Sequence, residues 1–247
     1  MSPHERRTDI PPWTVVVPAY NEEATIEEVV REYLAFTEVE RIIVVDNRSS
    51  DRTGELARAA GADVIQEERP GYGSAIRAGL DYALRTGARL LAITEADGTF
   101  RAEDLPKFRA FLGEHDIVFG SRTHRVLIGE GANLGWGLRW GNRAMAKFLE
   151  LLWWIPNEPT LNDVGCTYRA LWSETWTRIQ AGVTTDGPEF APEMMCESFR
   201  QRLRILMVPV RYGARLGGHS KHSENLAKSS KTALRMFRTI CRKRILG

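Results

Sequence analysis

The sequence is short of cysteine, short of proline and without a long apolar run, and each shortage removes a class of protein. Its three cysteines, Cys166, Cys196 and Cys241, are odd in number and far apart. They cannot close a disulfide framework and show no C-x-x-C metal spacing, so they read as reduced thiols of a cytoplasmic protein. Eleven prolines in 247 residues, with 43% hydrophobic and 27% charged residues, exclude a collagen-like or disordered chain. The most apolar run, Phe148 to Ile155, contains Glu150 and falls far below the ~20 residues that a membrane-spanning helix needs. Met1 to Trp13 is polar and broken by prolines, so no secretory signal is expected. Acid is nearly missing from one end. Residues 200–247 carry thirteen Lys or Arg against the single acid Glu224, while the whole chain nets +2, which leaves residues 1–199 at −10. A basic end on an acidic body points to an anionic surface or ligand.

Apolar runs rich in Val and Ile alternate with segments of helical period. Trp13–Val17, Arg41–Val45, Asp63–Gln66, Leu90–Thr94 and Asp116–Phe119 read as strands, and Glu22–Phe36, Thr53–Ala60 and Ser74–Arg85 as helices between them. This order predicts an α/β fold with a mainly parallel sheet flanked by helices, whose ligands sit at the carboxyl ends of the strands. The second half is less regular, with a long helix over Leu138–Trp154, a loop through Asp163, a helix over Pro188–Phe199 and a strand over Ile205–Tyr212. The chain divides into a flexible segment (1–13), a main domain (14–222) and a basic amphipathic helix (223–247).

Polar clusters fall at the expected strand ends. Glu95 and Asp97 lie two apart after a strand; in extended chain such side chains point the same way and present oxygens to one hard cation, Mg²⁺ or Mn²⁺. Capping the following turn is the plainer alternative. Pro18, Tyr20, Asn21 and Glu22 follow the first strand and Asp46 ends the second, where a carboxylate can take hydrogen bonds from a nucleobase or ribose. Asn21 equally suits a helix N-cap. Gly71 and Gly73 open a helix whose N-terminus could face a diphosphate, although a tight connection explains them as well.

With Val16–Glu22, Val45–Thr53, Glu95–Gly98, Gly120–Arg122, Asp163 through Tyr168-Arg169, and Gly218–Lys221 in this order, the chain resembles the family 2 glycosyltransferases of the GT-A fold, and within them the dolichyl- or polyprenyl-phosphate mannose synthase-like branch. The resemblance spans about Thr14 to Lys221. It implies that Pro18, Tyr20, Glu22 and Asp46 hold the nucleoside of a sugar nucleotide, with Asn21 and Gly73 completing the donor set. It implies that Asp97 is the principal metal ligand, with Glu95 where the family has its first Asp. Arg122, Arg215, Ser220 and Lys221 match positions around the donor and acceptor phosphates, with Arg139 and Arg143 as helpers from the long helix. The chain departs from the family pattern at Asn47, Glu95, Thr99, Thr167 and His219.

The resemblance implies inverting, metal-dependent transfer of a hexose from a GDP-mannose or UDP-glucose type donor to a polyprenyl phosphate. A hydroxyl acceptor would require a carboxylate base, Asp163 or the weaker candidate Glu193. A phosphate acceptor is already anionic near neutral pH and asks for cations instead. Asp97, Asp163 and Arg122 are therefore the candidate catalytic residues. Two other readings stay open: transfer to a soluble hydroxyl acceptor, or a non-catalytic nucleotide-sugar-binding protein. In the carboxyl-terminal helix Ala227, Ser230, Leu234, Phe237 and Cys241 form an apolar stripe beside Lys228, Lys231, Arg235, Arg238 and Arg242. That pattern suits either the anionic inner face of a membrane, making the protein peripheral, or packing on its own domain. Trp136, Trp140, Trp153 and Trp154 suit a prenyl groove or the core. No nucleic-acid partner is expected.

Overall fold

Alternation along the first strand settles which side of the sheet each residue serves. In β1 (Trp13–Ala19), Val15 and Val17 pack into one buried cluster while Val16 belongs to the other. The computed structural model describes residues 7–132, 136–153, 161–217 and 226–245. Strands β2 (Val39–Asp46), β3 (Asp63–Gln66), β4 (Leu90–Ile93), β5 (Ile117–Ser121), β6 (Arg169–Trp172) and β7 (Ile205–Pro209) join β1 in one sheet of order β3-β2-β1-β4-β6-β5-β7. Among the described residues only β6 runs antiparallel to its neighbours, β4 and β5.

Helices α1 (Ile26–Leu34), α2 (Thr53–Ala59) and α4 (Leu105–Leu112) cover one face, through Ile26, Val30, Ala57 and Phe108. Helices α3 (Tyr72–Arg85), α5 (Trp136–Leu152), α6 (Ser173–Ile179), α7 (Phe190–Arg200) and α8 (Leu226–Ile245) cover the other, through Ile76, Leu149, Trp176, Met194 and Ile240. Contact of α3 with the sheet is close: a Cβ on Gly79 would overlap Val16.

The strands and the α1, α2 and α3 helices fall where sequence placed them, with shifted ends. α1 starts at Ile26 rather than Glu22 because Tyr20 to Thr25 forms a loop. The strand expected through Tyr212 stops at Pro209, and Tyr212 makes only an isolated bridge with Ile128. α4, β6 and α6 were not anticipated. β6 is four residues long and begins with a buried arginine, Arg169, so no apolar alternation announced it. Trp154, like Ser220 and Lys221, lies outside the described residues.

The carboxyl-terminal helix packs on its own domain, and mostly through residues outside the stripe expected. Thr239 and Ile240 are buried and Thr232, Met236 and Lys243 half-buried, whereas Leu234 and Phe237 are exposed. Charge on the neighbouring helix is the physical reason: α7 offers Glu189, Glu193 and Glu197, and α8 turns its cations toward them. Arg235 pairs with Glu189, Arg242 approaches Glu193 at 3.7 Å, and Lys243 reaches Glu193 at 3.1 Å and Glu197 at 2.9 Å.

Candidate active site

The parallel strands put the carboxyl ends of β1, β2, β4, β5 and β7 along one edge, and the reversal of β6 brings its amino end to the same edge. Residues distant in sequence therefore meet there. At the tip of β4, Glu95 and Asp97 carry the site's negative charge. Asp97 is buried and its Oδ1 accepts from the Thr99 backbone N–H (3.0 Å) and hydroxyl (2.7 Å). Glu95 Oε1 accepts from the Thr167 hydroxyl at 2.6 Å, across from the amino end of β6, and its Oε2 lies 3.3 Å from the Thr99 hydroxyl. Burial, and then the negative charge of Asp97, push the Glu95 carboxyl up to about 7. The two carboxylates, Asp97 buried and Glu95 half-buried, repel each other at the strand tip. Among the described residues no group of three or more His, Cys, Asp or Glu forms a metal cage. The pair thus fits a hard divalent ion whose remaining ligands are phosphate oxygens and water.

The candidate nucleoside residues are brought together at the ends of β1 and β2. Pro18 sits where β1 has already parted from β4, whose pairing ends at Val16–Ile93, so its missing N–H costs no ladder bond. Tyr20 is half exposed at the strand end. Asn21 is not a helix cap. It stands at φ 52 and its side-chain oxygen accepts from the Ser50 N–H at 2.8 Å, tying the two loops together. Asp46 is buried, accepting from the Ser49 N–H (3.0 Å) and the Gln66 amide (2.9 Å). The glycine loop is closed to a diphosphate: the Gly73 N–H donates to the Asp186 carbonyl at 2.7 Å, and a Cβ at Gly71 or Gly73 would strike the backbone of Thr185 and Asp186. Asn47 shapes that loop, donating to the Glu67 and Arg69 carbonyls and accepting from the Gly71 N–H at 2.8 Å.

The cations arrive from the other half of the sheet. Arg122, after β5, donates to both oxygens of Asp163 at 2.9 Å through its side chain and at 3.0 Å through its backbone N–H. Burial alone would raise Asp163, but the charge of and hydrogen bonds from Arg122 hold its carboxyl below the usual range. Arg215, after β7, donates to Asp97 Oδ2 at 2.7 Å and lies 3.5 Å from Glu22 Oε1. Arg139 is half-buried on α5, and Arg143 is exposed there with its guanidinium 5.8 Å from the Trp140 ring. From α5, the Asn142 amide abuts Gly165 beside the Arg122 guanidinium. Glu193 is not brought to the site: it is fully buried in α7, accepting from the Thr184 and Thr185 N–H groups at 2.9 and 2.8 Å.

Sequence reasoning named Arg169 only within the motif ending Tyr168-Arg169, without a role, and passed over Asn142. Arg169 is buried and donates to the carbonyls of Cys166, Ala191 and Val164, which fixes the turn carrying Asp163. Burial brings its guanidinium down to about 10. A charged residue opening a short apolar run was its only signal. Burial also lifts the Cys166 thiol to about 12, so it stays protonated beside the site.

An uncharacterized glycosyltransferase of Mycobacterium tuberculosis is 32% identical over 92% of this chain and 97% of its own length. A dolichyl-phosphate hexose transferase of Haloferax volcanii is 31% identical over 82% of this chain and 83% of its own. Among solved structures, glucosyl-3-phosphoglycerate synthase from Mycobacterium tuberculosis, in complex with Mn²⁺, UDP-glucose and phosphoglyceric acid, superposes with a TM-score of 0.72 at 21% identity, over 95% of this chain and 80% of that one; this likeness is one of fold. The Glycosyl transferase family 2 model matches residues 14–173. With carboxylates at the tip of β4, a polar loop at the end of β1 and this match over most of the sheet, the chain belongs to glycosyl transferase family 2.

Proposed function

We propose that the protein transfers a hexose from a nucleoside-diphosphate sugar to a polyprenyl phosphate, with inversion at the anomeric carbon, at an anionic membrane surface. The state of Asp163 carries this reading. A hydroxyl acceptor needs a base, yet the two-oxygen pair with Arg122 holds the Asp163 carboxyl below its usual range, a poor proton acceptor, and its Oδ1 also accepts from the Gly165 N–H at 3.0 Å. Glu193 is enclosed elsewhere. A phosphate acceptor is already a nucleophile, and the site's task becomes positioning and charge balance.

Asp97 and Glu95 are the residues that would hold a divalent ion, which when bound neutralises the leaving diphosphate. Tyr20, Glu22 and Asp46 line the nucleoside end, and Arg122 with Asp163 forms a rigid wall on the acceptor side. Membrane attachment draws support from α5 and α8. Trp140 and Leu151 lie three turns apart on one side of α5 and are exposed, as are Leu234 and Ile245, three turns apart on α8. Phe148 and Phe237 stack at 4.9 Å and join the two helices, and Lys231 and Arg238 flank the α8 residues. No helix of the described residues is long and apolar enough to cross a membrane.

The test is transfer from UDP-glucose or GDP-mannose, with Mg²⁺ or Mn²⁺, to a phosphoprenol in vesicles against free sugars. Labelled hexose should enter the phosphoprenol, and Asp97→Ala should lower turnover by ~10³-fold with an unchanged melting transition. Labelling of free sugars alone, or of nothing, overturns the proposal.

A further inference from the structure

Asp97 already has a cation. Arg215 Nε sits 2.7 Å from Asp97 Oδ2, and its other branch lies 3.5 Å from Glu22 Oε1, so one guanidinium spans the ends of β4 and β1. The segment bearing it is fixed by backbone register. The Gly213 N–H donates to the Thr99 carbonyl at 2.9 Å and the Leu216 N–H to the Asp97 carbonyl at 3.0 Å. The Leu216 side chain also lies over Gly98, which stands at φ +72 and whose missing Cβ leaves the room it fills. Residues on both sides of Arg215 thus deliver its side chain to Asp97.

Asp97 has two oxygens. Oδ1 is engaged by the Thr99 N–H and hydroxyl, and Oδ2 by Arg215. A divalent ion on this carboxylate meets the guanidinium at the same charge. The Arg215 side chain is 26% exposed, so water and small ions reach it. Burial works against its positive charge, and Asp97 more than compensates.

We propose that Arg215 is the resident counter-cation of Asp97 and that metal and Arg215 exchange: the entering ion takes Asp97 Oδ2, and the displaced guanidinium, still held by the Gly213–Gly217 strap, turns to the phosphates of the incoming nucleotide. The inference rests on the nucleotide-sugar reading only for the identity of that anion. Its consequence is a change of sign. Without nucleotide, Arg215 and the metal compete for one carboxylate; with nucleotide, they bind opposite sides of the same diphosphate and support each other.

Mn²⁺ binding to the full chain, followed by the electron paramagnetic resonance of the free ion, tests this. Without nucleotide, Arg215→Gln should bind Mn²⁺ on the order of fivefold more tightly than the wild type, the size expected for losing one partly exposed ion-pair competitor. With saturating Mn²⁺, UDP and GDP should bind the same variant more weakly. A purely structural role would move both affinities together or neither. Arg215→Lys keeps the charge without the two-branched reach and should fall between in both measurements. Mn²⁺ binding that is equal or weaker in both variants overturns the exchange, and so does failure of every form to bind Mn²⁺ without nucleotide. Opposite signs without any transfer to phosphoprenol would sink the transferase reading and leave the exchange standing.

Discussion

The two halves of the sheet handle charge in opposite ways. On the β1-β2-β4 side, Asp97 is buried beside the half-buried Glu95, and desolvation, then the like charge, drives the Glu95 carboxyl up to about 7. On the β6-β5-β7 side, Arg122 is buried as deeply but matched on both oxygens by Asp163, and Arg169 is satisfied by three carbonyls. A site whose charge is left in conflict is where a ligand's charge belongs. A site whose charge is paired is scaffold. On the proposed reading, the acidic side would take the departing diphosphate with its ion and the paired side would hold the acceptor's place.

Breaking the pair gives the largest effect that this contrast expects. Arg122→Met leaves Asp163 buried and unmatched, and loss of one partner of a buried pair costs about 3–5 kcal/mol. Asp163→Asn in the same background removes the stranded charge and should recover part of that loss. Denaturant unfolding of the two single variants and the double one measures it. A cost near zero for Arg122→Met would show that the pair is open to solvent and that Asp163 is available as a base after all.

The acidic side responds to pH instead. Glu95 binds its proton more tightly folded than unfolded, so its contribution is fully favourable below about pH 4.5 and is lost as pH rises to about 7, where both states are ionised and repulsion from Asp97 is felt in full. Glu95→Gln cannot ionise. Its unfolding free energy relative to wild type should rise across that window, reaching an advantage of ~1–3 kcal/mol at pH 8 in metal-free buffer. A pH-independent difference would mean that Glu95 is solvated.

How far the sequence reveals all this follows the same division. Glu95 and Asp97 were legible because both follow a Val/Ile/Leu-type run directly, and strand end and acid are adjacent in the chain. Arg122 and Asp163 were both nominated, but their pairing across 41 residues was not, since it depends on β6 reversing direction between β4 and β5. Gly73 misled for the same reason. Glycines before a helix suggest an open anion site, and here a carbonyl from Asp186, far along the chain, closes it. On α8 the helical period allows two faces. The choice between them was made by acids of α7, which no pattern within α8 contains.

That choice supplies the smallest and sharpest expectation. The basic stripe read along α8 divides in two: Arg235 and Arg242 turn to Glu189 and Glu193, while Lys231 and Arg238 stay exposed beside Leu234 and Phe237. On the proposed membrane contact, the outward pair, which no acid of α7 engages, is the one expected to face the lipid, where each cation contributes about 1 kcal/mol near an anionic surface. Leu234→Ser with Phe237→Ser should therefore weaken sedimentation with anionic vesicles at all salt concentrations. Lys231→Gln with Arg238→Gln should weaken it at low salt and leave it unchanged at high salt, where screening has already removed the attraction. Arg242→Gln should alter thermal stability and leave vesicle binding alone, because its charge is directed at Glu193. If Arg242→Gln instead weakened vesicle binding as much as the outward variant, the inner and outer faces of α8 would not be separate, and the helix would have to leave α7 to reach the lipid.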